Sequence, residues 1–276
     1  MPLTAAAEGM DITKRIIDWK RYFDRAYCFH SVNDAARLPG LTEEFRRVGL
    51  LDSGIFRWVT TYPEVWERKL IEAMPKVWPS GATKTAVGFL NLGMATMRAF
   101  REALYDGCRR VLFREDDIRF LKDMDELEAG LDAIPDGYDV VQLDKFEGWK
   151  TTPEEYAAKI AAQSVNGRYF DAAGTLYTSG GCVMLTDGGM RNILRAFEEW
   201  RPGPMDGYFT MNGNRVAVAK RNLAVQVVMG DAMVLDYIKR NTHHAAYLPQ
   251  GIRYEDYAVP DGYGYGAAVA DATPGG

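Results

Sequence analysis

The chain has 276 residues, of which 33 are Lys or Arg and 38 are Asp or Glu, so its formal net charge is -5. This balance argues against a general nucleic-acid-binding protein, because such proteins carry an excess of positive charge. The length predicts one large domain or two small ones, with enough chain to bury a core.

The N-terminal sequence and the cysteines bear on the cellular compartment. Glu8 and Asp11 stand where a signal peptide needs an apolar core, and no stretch reaches the roughly 20 apolar residues of a membrane span. Three widely spaced cysteines predict buried thiols rather than a disulfide framework. We therefore expect a cytoplasmic protein. The cysteines are Cys28, Cys108 and Cys182.

The first part of the chain alternates strand-like and helix-like segments. Residues 26–32 predict a strand, and 42–48 a helix that Gly49 ends. A second strand is expected at 56–60 and a second helix at 64–74. Before them, residues 10–25 mix aromatic, aliphatic and basic side chains, which predicts either a docked surface helix or peripheral contact with a membrane.

The alternation continues through the middle of the chain. Apolar residues recur at helical spacing over 85–106, and Gly107 stands at the expected C-terminal cap. The strand 110–113 follows, then a helix at 123–133 and a strand at 138–143. Such β-α alternation is typical of an α/β fold.

The last third is less regular. Residues 144–174 are polar and predict an insertion or a surface lobe that contains a helix at 153–163. A strand at 178–186, a helix at 188–200 and two further strands at 216–219 and 223–228 follow. We expect three regions: an N-terminal helical extension at 1–22, one large domain at 23–240, and a basic stretch with a flexible tail at 241–276.

Three consecutive acids, Glu115, Asp116 and Asp117, follow the apolar strand 110–113 directly. Adjacent carboxylates repel one another, so a fold that gathers them at the end of a strand has to supply a positive partner. Carboxylate oxygens suit Mg²⁺ or Mn²⁺, and strand ends are where ligands bind in open α/β sheets. Alternation along extended backbone predicts Glu115 and Asp117 on one side and Asp116 on the other. A solvated turn is the alternative explanation.

The order of these segments resembles glycosyltransferase family 25, which includes bacterial lipooligosaccharide galactosyltransferases and collagen galactosyltransferase domains. Residues 97–117 (MRAFREALYDGCRRVLFREDD) resemble the central block of the family. The similarity continues through 138–143 (YDVVQL), 178–194 (TSGGCVMLTDGGMRNIL) and 204–209 (PMDGYF), and it spans residues 22–237. The sequence departs from the family at residues 91–96 (NLGMAT), which lack its Ser-His pair, and at Arg114, where an apolar residue is common.

The resemblance implies a Rossmann-like GT-A fold of the nucleotide-diphospho-sugar transferases, with a mixed central sheet flanked by helices. It implies a metal-dependent enzyme that moves a hexose, galactose or glucose, from a UDP-sugar to a hydroxyl of a glycan or glycoconjugate, as in lipopolysaccharide biosynthesis. Mn²⁺ or Mg²⁺ would be the cofactor. The implied residues are Asp206 as catalytic base, Asn33, Arg37, Asp116, Gly180 and Gly181 at the donor, and Glu115, Asp117 and His243 at the metal.

Several of these residues have structural alternatives. Asp206 could be the N-cap of a helix at 207–211. His243, with His244 beside it, could belong to an exposed basic stretch, and Asp231 is a second acidic candidate. Gly180 and Gly181 could form a bulge instead of admitting a donor. Four aromatic residues could stack on sugars or pack in the core: Trp149, Tyr169, Phe170 and Tyr177.

Two other functions are compatible with the same acids. One is a metal-dependent phosphohydrolase, although the sequence has no second acidic cluster with firm metal spacing for a two-metal mechanism. The other is a non-catalytic nucleotide-sugar or glycan-binding protein of the same fold, which the missing Ser-His pair favours.

Overall fold

The computed structural model describes residues 16–62, 83–145, 153–172, 180–199, 205–210, 213–226 and 256–258. The predicted helix at 64–74 lies outside these residues, as do His243, His244, Asp231, Trp149 and Tyr177. None of the described helices is both long enough and apolar enough to cross a bilayer.

A seven-stranded mixed sheet forms the centre of the protein, in the order β2-β1-β3-β7-β5-β8-β6. Strands β1, β2, β3, β5 and β8 run in one direction, whereas β6 and β7 run in the opposite one. A separate antiparallel pair joins β4 to β9. The strands are β1 Arg25–Ser31, β2 Phe56–Thr61, β3 Arg110–Glu115, β4 Ile118–Phe120, β5 Val140–Gln142, β6 Tyr169–Asp171, β7 Cys182–Thr186, β8 Val216–Ala219 and β9 Ala224–Gln226.

Helices cover both faces of this sheet, so the predicted α/β class with a mixed central sheet flanked by helices is confirmed. Phe45 of α1 and Leu127 of α3 pack in the hydrophobic cluster on one face. Phe100 of α2, Ile193 of α5 and Phe209 of α6 pack in the cluster on the other. The helices are α1 Leu38–Arg47, α2 Thr83–Tyr105, α3 Met124–Asp132, α4 Pro153–Ala162, α5 Asp187–Glu198 and α6 Met205–Thr210.

Two predicted helix ends are confirmed by backbone conformation. Gly49 follows α1 with φ +76°, and Gly107 follows α2 with φ +75°. Glycine adopts this left-handed conformation without the steric penalty that a Cβ atom imposes, so each residue allows the chain to leave its helix sharply.

The segment 144–174 was predicted to be an insertion or a surface lobe that contains a helix. The helix is confirmed as Pro153–Ala162, but the segment also contributes to the core. It supplies β6, the edge strand of the central sheet, which pairs with β8. Tyr169 and Phe170 are completely buried, so both belong to the core. The strand has only three residues, and alternation over so short a run is too weak to be recognised in a polar segment.

Residues near both ends of the described chain contribute to the core. Trp19 is completely buried, and its ring is tilted by 48° against that of Phe120, with the centroids 5.4 Å apart. Tyr22 is also buried, so these two aromatic residues of the N-terminal run face the protein interior. Near the other end, Tyr257 is buried and forms a β-bridge with Leu121. The boundaries 1–22, 23–240 and 241–276 stay predictions.

A buried carboxylate joins α1 to β4. Glu44 is 3% exposed, accepts a hydrogen bond from the backbone N–H of Phe120 at 2.8 Å, and pairs with Arg47 at 2.7 Å. Arg47 also donates to the carbonyl oxygens of Phe120 and Leu121. These contacts position the strand that directly follows the acidic residues.

We expect Glu44→Ala to lower the free energy of unfolding by about 3 kcal/mol, because it removes the carboxylate that pairs with Arg47 and leaves a buried N–H without its acceptor. Urea denaturation followed by circular dichroism measures the loss. The neighbouring Glu43 is exposed, so Glu43→Ala is the matched control and should change stability by less than about 0.5 kcal/mol. Equal stability of the two variants would contradict the structural role of Glu44.

Candidate functional site

The carboxyl ends of three parallel strands lie at one edge of the central sheet. His30 and Ser31 end β1, Glu115 ends β3, and Asp144 follows β5. Strand β7 is antiparallel to these strands, so its first residues, preceded by Gly181, lie at the same edge. Ligands bind at this edge in open α/β sheets.

Glu115, Asp116 and Asp117 have different neighbours at this edge of the sheet. Glu115 is the last residue of β3, and its N–H donates to the carbonyl oxygen of Gly181 at 2.8 Å. Alternation along the strand puts its side chain on the face of Phe113, which packs against Phe209 of α6. Asp116 and Asp117 form the turn between β3 and β4, which we call the acid turn.

Asp116 is 7% exposed, and both of its carboxylate oxygens are engaged. One oxygen lies 2.8 Å from Nδ1 of His30, and the other accepts a hydrogen bond from Arg37 at 2.6 Å. A guanidinium at this distance neutralises a carboxylate by a charge-assisted hydrogen bond. Arg37 was predicted to bind the donor, and in this structure it lies beside the acid turn. Asn33, predicted at the donor too, is exposed on the short 3₁₀ helix Val32–Arg37.

Asp117 has a different environment. Its Oδ2 atom accepts a hydrogen bond of 2.7 Å from the side-chain amide of Gln226. Its Oδ1 atom is shielded from solvent and has no hydrogen-bond partner within the described residues. Burial raises the pKa of this carboxyl to about 6; the Gln226 hydrogen bond acts in the opposite direction, and the charge of Asp116 raises the pKa further. A buried carboxylate oxygen without a partner is a costly arrangement that a cation relieves.

Gly181 permits a close approach between the acid turn and β5. A Cβ atom at this position would lie 2.4 Å from Cδ1 of Ile118 and 3.2 Å from Oδ2 of Asp144. Asp144 in turn accepts a hydrogen bond from the N–H of Cys182 at 2.8 Å. Gly180 is buried beside it. The donor-binding role of both glycines stays a prediction.

Asp206 lies at the second position of α6, so it is not the N-cap residue of a helix that begins later. The same helix carries Phe209, whose ring centroid is 5.0 Å from that of Phe113. Phe113 precedes Glu115 by two residues on the same face of β3. The backbone of Asp206 therefore belongs to the helix that covers this face of the sheet next to the acids.

Sequence analysis missed three residues of this site: His30, Gln226 and Asp144. Asp144 directly follows a predicted strand, as the acids do, and this position could have identified it. His30 lies inside a predicted strand, where histidine has many unspecialised uses. Nothing local indicates Gln226, because it meets Asp117 only through the pairing of β9 with β4.

A cavity of about 410 Å³ lies where β2 ends against α2. Its wall includes Thr61, Tyr62 and Met94. Asn91 also lines it, and this residue is 6% exposed. A side-chain amide in the wall of a cavity can donate to and accept from a bound polar ring.

Within the described ranges, no group of three or more His, Cys, Asp or Glu side chains has the arrangement to hold a metal ion. The acid turn nevertheless offers a carboxylate ligand of the kind that Mg²⁺ or Mn²⁺ binds. Such ions are bound by one or two carboxylates together with substrate phosphates and water rather than by complete protein cages. The unpartnered Oδ1 of Asp117 offers one such ligand.

No protein-family model matches the chain, and no curated protein matches it either. Among solved structures, it is similar to mouse xyloside xylosyltransferase 1 in the apo form, with a TM-score of 0.37 and 13% identity over 82% of this chain and 94% of that one. It is also similar to mannose-1-phosphate geranyltransferase from Thermus thermophilus, with a TM-score of 0.30 and 14% identity over 78% of each chain. Both TM-scores are low, so the function of this chain has to follow from its own residues.

Proposed function

We propose that the protein is a metal-dependent glycosyltransferase of the GT-A type, related to family 25, which moves a hexose from a UDP-sugar to an acceptor hydroxyl. The observation that carries this proposal is the unpartnered oxygen of Asp117 at the carboxyl edge of the parallel strands. A second carboxylate beside it, Asp116, is already neutralised by Arg37. Asp117 therefore keeps its negative charge for a cation that arrives with a diphosphate.

The proposed chemistry assigns distinct tasks to the acids. Asp117, with Glu115 and the predicted ligand His243, would hold Mn²⁺ or Mg²⁺, which when bound neutralises the diphosphate leaving group. Asp116 holds the turn through His30 and Arg37. Asp206 would accept the proton of the acceptor hydroxyl as its oxygen attacks the anomeric carbon, because a neutral hydroxyl is a poor nucleophile. The anomeric bond to the diphosphate breaks in the same reaction.

The cavity beside Asn91 is the proposed place of the uracil ring. Its volume falls in the range of small-molecule sites. The side-chain amide of Asn91 matches the adjacent donor and acceptor of a uracil edge, and Tyr62, which is 53% exposed, offers an aromatic face. The cavity lies at the end of β2, and β1 separates this strand from the acid-bearing β3.

We expect uridine without metal to bind the wild-type protein, and Asn91→Leu to weaken this binding about tenfold because the amide's hydrogen bonds are lost. Isothermal titration calorimetry with uridine measures the change. Asn192→Leu is the matched control, because Asn192 lies on α5 and bonds to Asn214, away from the cavity. Equal uridine affinity in wild type and Asn91→Leu would contradict the assignment of the cavity.

One experiment separates the proposed transferase from the two alternatives. The protein is incubated with a panel of UDP-sugars and Mn²⁺, with and without a set of glycan acceptors, and UDP release is measured. A transferase releases UDP at a rate that depends on the acceptor. A phosphohydrolase cleaves the donor with water alone, and a binding protein shows saturable UDP binding with no release under any condition. Either of the last two results would contradict the proposal.

A further inference from the structure

Gln226 reaches the acid turn from a part of the chain that is remote in sequence. It is the last residue of β9, and its backbone pairs with Ile118, the residue directly after Asp117. Its side-chain amide donates a hydrogen bond of 2.7 Å to Oδ2 of Asp117. This orientation is the favourable one for an ionised carboxylate, because the opposite orientation would place the amide oxygen against a carboxylate oxygen.

The two neighbouring acids differ in the charge of their partners. Arg37 brings a positive charge to Asp116. Gln226 is neutral, so it fixes the orientation of the Asp117 carboxylate without cancelling its charge. With Oδ2 held by the amide, the second oxygen, Oδ1, has no partner within the described structure. A carboxylate fixed in this way is ready to bind a cation through Oδ1.

Backbone hydrogen bonds hold β9, the strand that carries Gln226, in place beside β4. The N–H of Leu121 donates to the carbonyl oxygen of Leu223, which continues the pairing of β4 with β9. On the other side of β4, Ala258 donates to Phe120, and Tyr257 donates from its hydroxyl to the carbonyl oxygen of Asn222. The backbone position of Gln226 relative to Asp117 is therefore set by hydrogen bonds on both sides of β4.

We propose that Gln226 is a positioning residue that orients the Asp117 carboxylate for a divalent cation. This inference rests on the proposed function, because it concerns the same metal. Residues that hold metal-binding side chains by hydrogen bonds typically change metal affinity by about 10- to 100-fold when they are replaced. Gln226 acts through Asp117 and has no chemical step of its own.

The test is a titration with MnCl₂, with and without saturating UDP, in which electron paramagnetic resonance measures free Mn²⁺. Gln226→Met keeps the length of the side chain and removes the amide, so we expect Mn²⁺ affinity to fall about tenfold or more. Glu44→Gln is the control. It weakens the support of β4 at Phe120 without touching Asp117, and we expect it to lower the melting temperature while leaving Mn²⁺ affinity unchanged.

The outcomes separate this inference from the proposed function. Weaker Mn²⁺ binding in Gln226→Met, with wild-type affinity in Glu44→Gln, supports the positioning role. Equal affinity in wild type and Gln226→Met overturns the role of Gln226 and leaves the proposed function intact. The same loss of affinity in both variants also overturns it, because the effect would then come from the strand support. If the wild type binds Mn²⁺ under neither condition, the metal in the proposed function fails as well.

Discussion

Asp117→Asn is expected to reduce metal-dependent turnover about 10³-fold while leaving the fold intact. The substitution keeps the shape of the side chain and removes the charge that would bind the cation. Charge stabilisation by a catalytic metal amounts to several kcal/mol, and each 1.36 kcal/mol corresponds to a factor of about ten in rate. The measurement is UDP release from a UDP-sugar with Mn²⁺ and an acceptor, at saturating donor.

The same variant has a second expected property that checks its fold. Burial raises the pKa of Asp117 to about 6. Because this value lies above that of the unfolded chain, the ionised carboxylate costs stability at pH 8. Metal-free Asp117→Asn should therefore melt at the same temperature as wild type, or at a higher one, at this pH.

Asp136→Asn is the matched control for Asp117→Asn. Asp136 is a mostly exposed carboxylate that pairs with Arg110 at the opposite end of β3. The control should retain full turnover. Full activity of Asp117→Asn would overturn the assignment of the acid turn.

The second large effect is expected for Asp206→Asn, which should lower kcat by about 10² to 10⁴ while UDP binding stays unchanged. A general base contributes a factor of this size, because it removes the acceptor proton in the transition state. Binding of UDP does not involve that proton. Single-turnover rates with donor and acceptor, together with UDP affinity measured by calorimetry, test both halves of this expectation.

Asp187→Asn provides a close comparison for Asp206→Asn. Asp187 is also an acid in the first turn of a helix, α5, and it is exposed. Asp187→Asn removes a favourable interaction with a helix N-terminus, which is worth about 0.3 to 1 kcal/mol. Only Asp206→Asn should lose turnover. If both variants retain wild-type kcat, Asp206 is not the base.

Several elements of the fold could be predicted because their signals are local. Helix α2 was expected at 85–106 and lies at Thr83–Tyr105, since apolar residues recur at helical spacing over more than twenty residues. Strand β3 and the acids after it were expected for a similar reason. The short strands β4 and β6 have three residues each. Such runs carry too little periodic pattern to be placed reliably, and β6 was missed for this reason.

In the candidate site, too, some residues could be predicted from local sequence signals and others could not. The acids themselves could be found from the sequence, because three adjacent carboxylates after an apolar strand are conspicuous. Their partners could not. His30, Arg37 and Gln226 lie 86, 79 and 109 residues away in the chain from the carboxylates that they bind. Arg37 was expected at the donor, and only the folded chain shows that it lies on Asp116.

The sequence by itself determined the alternation of strands and helices and the position of the acids at the end of a strand, because backbone periodicity and local capping depend on near neighbours. Only the tertiary structure decided which carboxylate is neutralised and which keeps an unpartnered oxygen within the described residues. That difference depends on which side chains strand pairing and helix packing bring to Asp116 and Asp117. Contacts between residues so distant in the chain have no local signature.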